Sequence, residues 1–325
     1  MARVGGCLFV SGASGSNFEH YEPSIKFLYL AYVIFMAVIV CTFESCMIAR
    51  RVSLLEPGKD NFFEKLFISL HLIDAVKVLT NFFCLSAGTS ELVNVLRALK
   101  KLEFSIGFQS QDNIRSRAYR YGRIVGFGVP MTMCGLCRVF VMAKLTADLP
   151  AVMAWTLRTL SGIFIMYYLV IGSMVLFLER YLCVVLSNYL SYQVGAAKEI
   201  VRRAVRDGEA QRLAFDVDRI RLSYVATAKI VSQVDSWLRY ALVVVFMCST
   251  FVVCMIVYAI FAGDPPSSMV LGTAFYAMFT YLAIVDVALS ASDIKTQGRK
   301  LKSVLQSAST TEVPARIARQ VRRLF

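Results

Sequence analysis

From residue 240 to residue 262 the chain runs for 23 residues without a charge. A helix needs about 20 apolar residues to cross the hydrocarbon of a bilayer, and helices buried in soluble domains rarely run that far. Residues 159–178 form a second uncharged run and residues 265–285 a third, opened by a Pro-Pro pair that suits a helix start. Residues 27–43 form a shorter run, extended by Lys26, whose long stem can reach the interface. Two more stretches have the right length but carry charges. Residues 124–143 contain Arg138, and Pro130 is expected to kink them. Residues 66–87 contain Asp74 and Lys77, which are three apart on a helix, share a face and can pair. The expected fold is all-α: a polytopic membrane helix bundle with six spans.

Composition agrees with that class. The chain is 57% apolar and 18% charged, against about 45–50% and 25% in an average soluble domain. The net charge of +13 is placed between the apolar blocks, where basic loops flank a membrane. A nucleic-acid binder gathers such charge on one solvated face, so nucleic acid is not an expected partner; the lipid bilayer is. Seven of the nine cysteines lie in or beside apolar blocks, and only Cys7 and Cys183 lie outside them. That pattern reads as small apolar residues rather than a disulfide framework. Cys134 and Cys137 have the spacing of half a zinc site, with no second half. The Ser/Gly stretch at 11–16 lacks the Gly-Lys-Ser/Thr ending of a phosphate loop. The two histidines, His20 and His71, are far apart, and no catalytic set or nucleotide loop appears. Neither an enzyme nor a cofactor is expected.

Orientation follows from the basic residues outside the spans. Residues 1–26, 88–123, 179–239 and 286–325 hold 27 Lys and Arg, and the segments on the opposite side hold 6. The basic side faces the cytosol, which puts the N-terminus inside. The expected organisation is a cytosolic tail (1–26), four spans (27–178), a long helical cytosolic loop (179–239), two spans (240–285) and a basic cytosolic segment (286–325). Within the long loop, Leu213, Val217, Ile220, Tyr224, Val231, Val234 and Leu238 recur at helical spacing. The stripe enters the 240–262 run without Gly or Pro, so one continuous helix is expected. Its apolar face must pack within the chain or against another subunit.

Several of these segments resemble the arthropod gustatory receptor family. Residues 221–234, beginning Arg221-Leu222-Ser223-Tyr224, followed by the long span at 242–261, are similar to that family's fifth helix. Residues 268–285, followed by Ser290-Ala291-Ser292-Asp293 and by Leu301 and Leu305, are similar to its sixth helix and the linker beyond. The resemblance implies a taste-type receptor of the plasma membrane that binds a small-molecule tastant. It further implies a ligand-gated cation channel assembled as a tetramer, homomeric or heteromeric, with a seventh span lining the pore. Thr280-Tyr281 is similar to the start of that span's signature, but Asp286-Val287-Ala288 replaces its ending. Phe325 falls where a seventh span is expected to begin, so the chain is either truncated or a six-span form.

Two other classes are weighed beside it. Glu179-Arg180-Tyr181 looks like the acidic-Arg-Tyr box of rhodopsin-like G-protein-coupled receptors. Here it closes the fourth span instead of the third, with the N-terminus on the other side. A transporter is expected to show an internal repeat and matching broken helices, and only Pro130 breaks a span.

Ionisable residues inside spans are costly and mark functional sites. Asp74 falls near the midplane of the second span, with Glu44, Arg138 and Arg158 toward the outer surface. His71 and Trp155 lie at similar depth, and Tyr276 supplies an aromatic wall from the sixth span. Ligand-binding residues are therefore expected among His71, Asp74, Arg138, Trp155, Arg158 and Tyr276, in a polar cavity open to the outside. The competing role for each is to pair across helices and hold the bundle together.

Overall fold

The structure is a computed structural model that describes residues 10–11, 22–23, 27–53, 55, 62–106, 117–143, 146–207, 210–262 and 267–310. Apart from a two-residue antiparallel pairing of β1 (Val10–Ser11) with β2 (Glu22–Pro23), the described elements are helices. They are α1 (Phe27–Ser53), α2 (Phe62–Ala87), α3 (Thr89–Ile106), α4 (Arg117–Val141), α5 (Ala151–Gly172), α6 (Met174–Asp207), α7 (Ala210–Ala262) and α8 (Ser267–Thr310). Among the described residues, five stretches are long and apolar enough to cross a membrane: Ile68–Ala87, Ala151–Gly172, Met174–Arg203, Asp216–Tyr258 and Ala274–Gln306. The expectation that 265–266 start the last span lies outside the described residues.

The helices exceed the runs that announced them. The 240–262 run is the second half of α7, 53 residues long and free of Gly and Pro. Its apolar stripe is buried at Val217, Ile220, Val234 and Leu238 and continues through Ala241, Val245, Val252 and Ile256. Ile230, rather than Val231, takes the buried position between Ile220 and Val234. Pro130 sits inside α4, and the helix continues on both sides of it. The run at 159–178 is divided: α5 ends at Gly172 and α6 starts at Met174.

The chain forms two compact units. The first comprises Met1–Val93, Arg117–Phe177 and Leu238–Val285. Its core joins Leu66 and Leu70 of α2, Cys134 of α4, Leu169 of α5, Val252 and Ile256 of α7, and Tyr276 and Phe279 of α8. Phe127, Phe177 and Phe279 meet edge-on at centroid distances of 5.3, 5.7 and 6.4 Å. Each such pair contributes about 0.5–1.5 kcal/mol beyond burial. This unit also turns large apolar side chains outward, including Phe83, Phe140, Met247 and Phe251, the third of them 69% exposed. Water penalises such a surface and lipid does not.

The second unit comprises Asn94–Ser116, Leu178–Trp237 and Asp286–Phe325. Its core joins Leu190, Val194 and Ala197 of α6 to Val217 and Ile220 of α7 and Leu301 and Leu305 of α8. Charged side chains occupy exposed positions here, among them Lys198, Glu199, Arg202 and Arg203 on α6 and Lys295, Arg299 and Lys300 on α8.

Candidate functional site

A buried polar cluster crosses three helices of the first unit. Arg138 of α4 donates through Nε to Ser161 Oγ of α5 at 3.1 Å. Its Nη2 lies 2.7 Å from His71 Nε2 of α2. Guanidinium nitrogens only donate, so His71 Nε2 is the acceptor; the ring is neutral and carries its proton on Nδ1. Arg138 is 9% exposed, His71 7% and Ser161 1%.

Two glycines bring α4 and α5 close enough for the Arg138–Ser161 bond. A Cβ on Gly162 would stand 2.8 Å from the carbonyl oxygen of Gly135, and one on Gly135 would stand 2.7 Å from Met166 Sδ. Small residues at such a crossing let two backbones approach, which is how helices associate where lipid removes the hydrophobic driving force. Gly135 lies just under one helical turn before Arg138, and Gly162 directly follows Ser161, so the contact and the cluster form together.

The other residues expected at the site separate into different groups. Arg158 donates through Nε to Thr146 Oγ1 at 2.7 Å and through Nη2 to the Ala143 carbonyl at 3.3 Å. It satisfies acceptors just beyond the end of α4, and its guanidinium stands 5.4 Å from the Trp155 ring centroid. Trp155 is 58% exposed and turned outward. Tyr276 is buried, and its ring centroid lies 5.7 Å from Lys77 Nζ, within cation–π range. The stem of Lys77 passes 3.7 Å from where a Cβ on Gly172 would stand. At roughly 1.5 Å per residue, Gly172 is about 16 Å along α5 from Ser161, so the Lys77–Tyr276 contact lies at another depth. Asp74 belongs to α2, but its side chain, like that of Glu44, is outside the described residues.

Three further participants lie outside the set of expected site residues. Ser161 is one. Asn81 is another, fully buried: its Nδ2 donates to the carbonyls of Lys77 at 2.7 Å and Gly172 at 3.1 Å, and its Oδ1 accepts the N–H of Val175 at 2.8 Å. One amide thus serves the last carbonyl of α5 and an early N–H of α6, which a helix break leaves without helical partners. An amide inside an apolar span was the available signal. The third is Asp286, which directly follows the uncharged 265–285 run. It pairs with Arg180 of the Glu179-Arg180-Tyr181 triplet and ties α8 to α6 in the second unit. Among the described residues, no cluster of three or more His, Cys, Asp or Glu is placed to hold a metal.

Long apolar helices packed around a buried polar cluster define a polytopic helical membrane protein. The chain belongs to the 7tm chemosensory receptor family, whose model matches residues 17–325. That is a receptor class rather than an enzyme class, and it agrees with the resemblance to arthropod gustatory receptors at the level of insect-type chemoreceptors. No curated protein matches the chain by sequence. Among solved structures, it is similar to the insect olfactory receptor OR5 from Machilis hrabei in complex with eugenol. The TM-score is 0.63 at 15% identity, over 99% of this chain and 85% of that one. The two share a fold.

Proposed function

We propose that the chain is a taste-type chemosensory receptor of the plasma membrane and a subunit of a ligand-gated cation channel. Its N-terminus is cytosolic, and it works as a homo- or hetero-oligomer. The ligand is a small, largely apolar molecule with a hydrogen-bond acceptor, entering from the outer side. The observation that carries this reading is the Arg138–His71–Ser161 cluster, buried where three helices of the lipid-compatible unit converge. Family membership supports chemoreception, and the complex of the structural neighbour with eugenol supports a small organic ligand. A ligand acceptor that takes the Nη2 proton now given to His71 displaces that ring from Arg138. Displacing His71 loosens α2 from α4, and that differential contact is what a ligand needs to bias a helix arrangement. The exposed Lys and Arg of the second unit support its assignment to the cytosol.

The test is whole-cell current from cells expressing the full protein, screened with tastants while G-protein signalling is blocked. Ligand-evoked current that survives the block supports direct gating. Current that vanishes under the block refutes it and returns the G-protein-coupled reading.

A further inference from the structure

The second unit contains a cavity of about 460 Å³ that no part of the proposed receptor mechanism uses. Its walls include Leu102 of α3, Gln193 of α6, and Asp216, Arg219, Ser223 and Ala226 of α7. Arg219 is exposed and Gln193 is 2% exposed, so the cavity runs from the surface into the unit. The volume falls within the range of small-molecule sites, about 300–1,000 Å³.

The hydrogen bonds of its inner wall fix what it offers. The Thr227 hydroxyl donates to the Ser223 carbonyl at 2.8 Å. Its oxygen therefore accepts from Gln193 Nε2 at 3.3 Å, which orients the amide: nitrogen toward Thr227, oxygen away from it. Gln193 Oε1 is buried and has no partner among the described residues. The Ser223 hydroxyl spends its proton on the Ile220 carbonyl at 2.9 Å, which leaves its oxygen as an acceptor. The wall thus includes two available acceptors, Gln193 Oε1 and Ser223 Oγ. A buried acceptor without a partner carries a desolvation cost that an incoming donor removes. The terminal amide torsion is soft, so a small rotation aligns Oε1 with such a donor. At the mouth, Asp216 and Arg219 carry opposite charges, which gives no preference for a charged ligand.

We infer that this cavity is a second small-molecule site, separate from the Arg138 cluster, which takes a neutral, mainly apolar molecule carrying an N–H or O–H donor. It binds through Gln193 Oε1 and the apolar wall, and it is a place where an amphiphile can act on the receptor without competing for the Arg138 cluster.

The experiment uses the full chain in lipid nanodiscs and two fluorescent probes of nearly the same shape. 1-Aminoanthracene has an N–H donor, and anthracene has none. The expected result is saturable binding of 1-aminoanthracene that Gln193→Met, which keeps the length and loses the acceptor, weakens about three- to tenfold. Gln193→Glu, which keeps an acceptor, retains binding. Anthracene binding is the same in the wild type and in Gln193→Met. Ala226→Phe fills the cavity and removes both probes, whereas Arg138→Ala leaves both unchanged. Equal 1-aminoanthracene affinity in the wild type and in Gln193→Met overturns the inference. So does an Ala226→Phe chain that still binds both probes, or one whose particle size changes while probe binding does not, which assigns the cavity to a second copy.

Discussion

The side-chain oxygen of Asn81 accepts the backbone N–H of Val175 at 2.8 Å, so a residue of α2 caps the first turn of α6. Helix N-termini are ordinarily capped by a neighbouring Ser, Thr, Asp or Asn. Here Ser173 turns the chain at φ −109° and ψ 3° and makes a short-range backbone bond to Val170 at 3.3 Å. The cap then comes from a different helix. The break between α5 and α6 is therefore stable only when α2 is docked. Removing the amide leaves the Gly172 carbonyl and the Val175 N–H unpaired, at about 1–3 kcal/mol for each buried group. Asn81→Leu is expected to lower the apparent melting temperature of detergent-purified receptor substantially. Asn81→Asp is expected to do nearly the same, because its second oxygen faces two carbonyls. Fluorescence-detected gel filtration after heating measures both, and an Asn81→Asp chain as stable as wild type contradicts the assignment.

Gly162 and Gly195 are both helical glycines and should respond oppositely to alanine. A Cβ on Gly162 meets the backbone oxygen of Gly135 at 2.8 Å, whereas a Cβ on Gly195 meets nothing within 4 Å. Gly162→Ala forces α4 and α5 apart and is expected to cost about 1–3 kcal/mol. Gly195→Ala gains helix propensity and is expected to stabilise by about 0.5–1 kcal/mol. The same thermal assay should move in opposite directions for the two variants.

His71 serves Arg138 as an acceptor, and substitutions should sort by that property. His71→Gln keeps an acceptor near Arg138 and is expected to preserve surface expression with a modest shift in ligand sensitivity. His71→Leu removes that acceptor and is expected to lower both expression and sensitivity. Arg138→Ala is expected to shift the dose–response curve while the protein still reaches the surface. Surface biotinylation beside current recording separates the effects, and an Arg138→Ala chain that only misfolds reduces Arg138 to a structural partner.

Arg180 and Asp286 form an ion pair with a largely buried arginine, at 7% and 25% side-chain exposure. Removing one partner of a buried pair costs about 3–5 kcal/mol, while replacing both with apolar residues often costs little. Arg180→Met and Asp286→Leu are each expected to destabilise the second unit strongly, and the double variant less than the sum of the two. A double variant that shows simple additivity argues against the pair.

Topology has its own test. Tags at residue 1 and inserted at residue 208 are expected to be cytosolic and hidden from protease in sealed right-side-out cells. Digestion of the N-terminal tag from outside contradicts the charge-based orientation.

The sequence by itself determined the helical membrane class and the continuity of α7. Both depend on local quantities: the length of an uncharged run, the absence of Gly and Pro, and the 3.6-residue spacing of apolar side chains. It also singled out Arg138 and His71, because a charge or imidazole inside a span is costly wherever it ends up. The tertiary structure decided which of these polar groups meet. Depth along a helix was readable at about 1.5 Å per residue, but the rotation of one helix against another was not. So Arg138 and His71 came together with Ser161, while Arg158 went to the end of α4, next to an outward-turned Trp155, and Tyr276 went to Lys77. The division of the 159–178 run at Ser173 was equally hidden, because its cause is Asn81, on another helix and 94 positions away from Val175. Arg180 stood beside Glu179 in the sequence, yet its ion pair is with Asp286, which only the docking of α8 on α6 brings within reach.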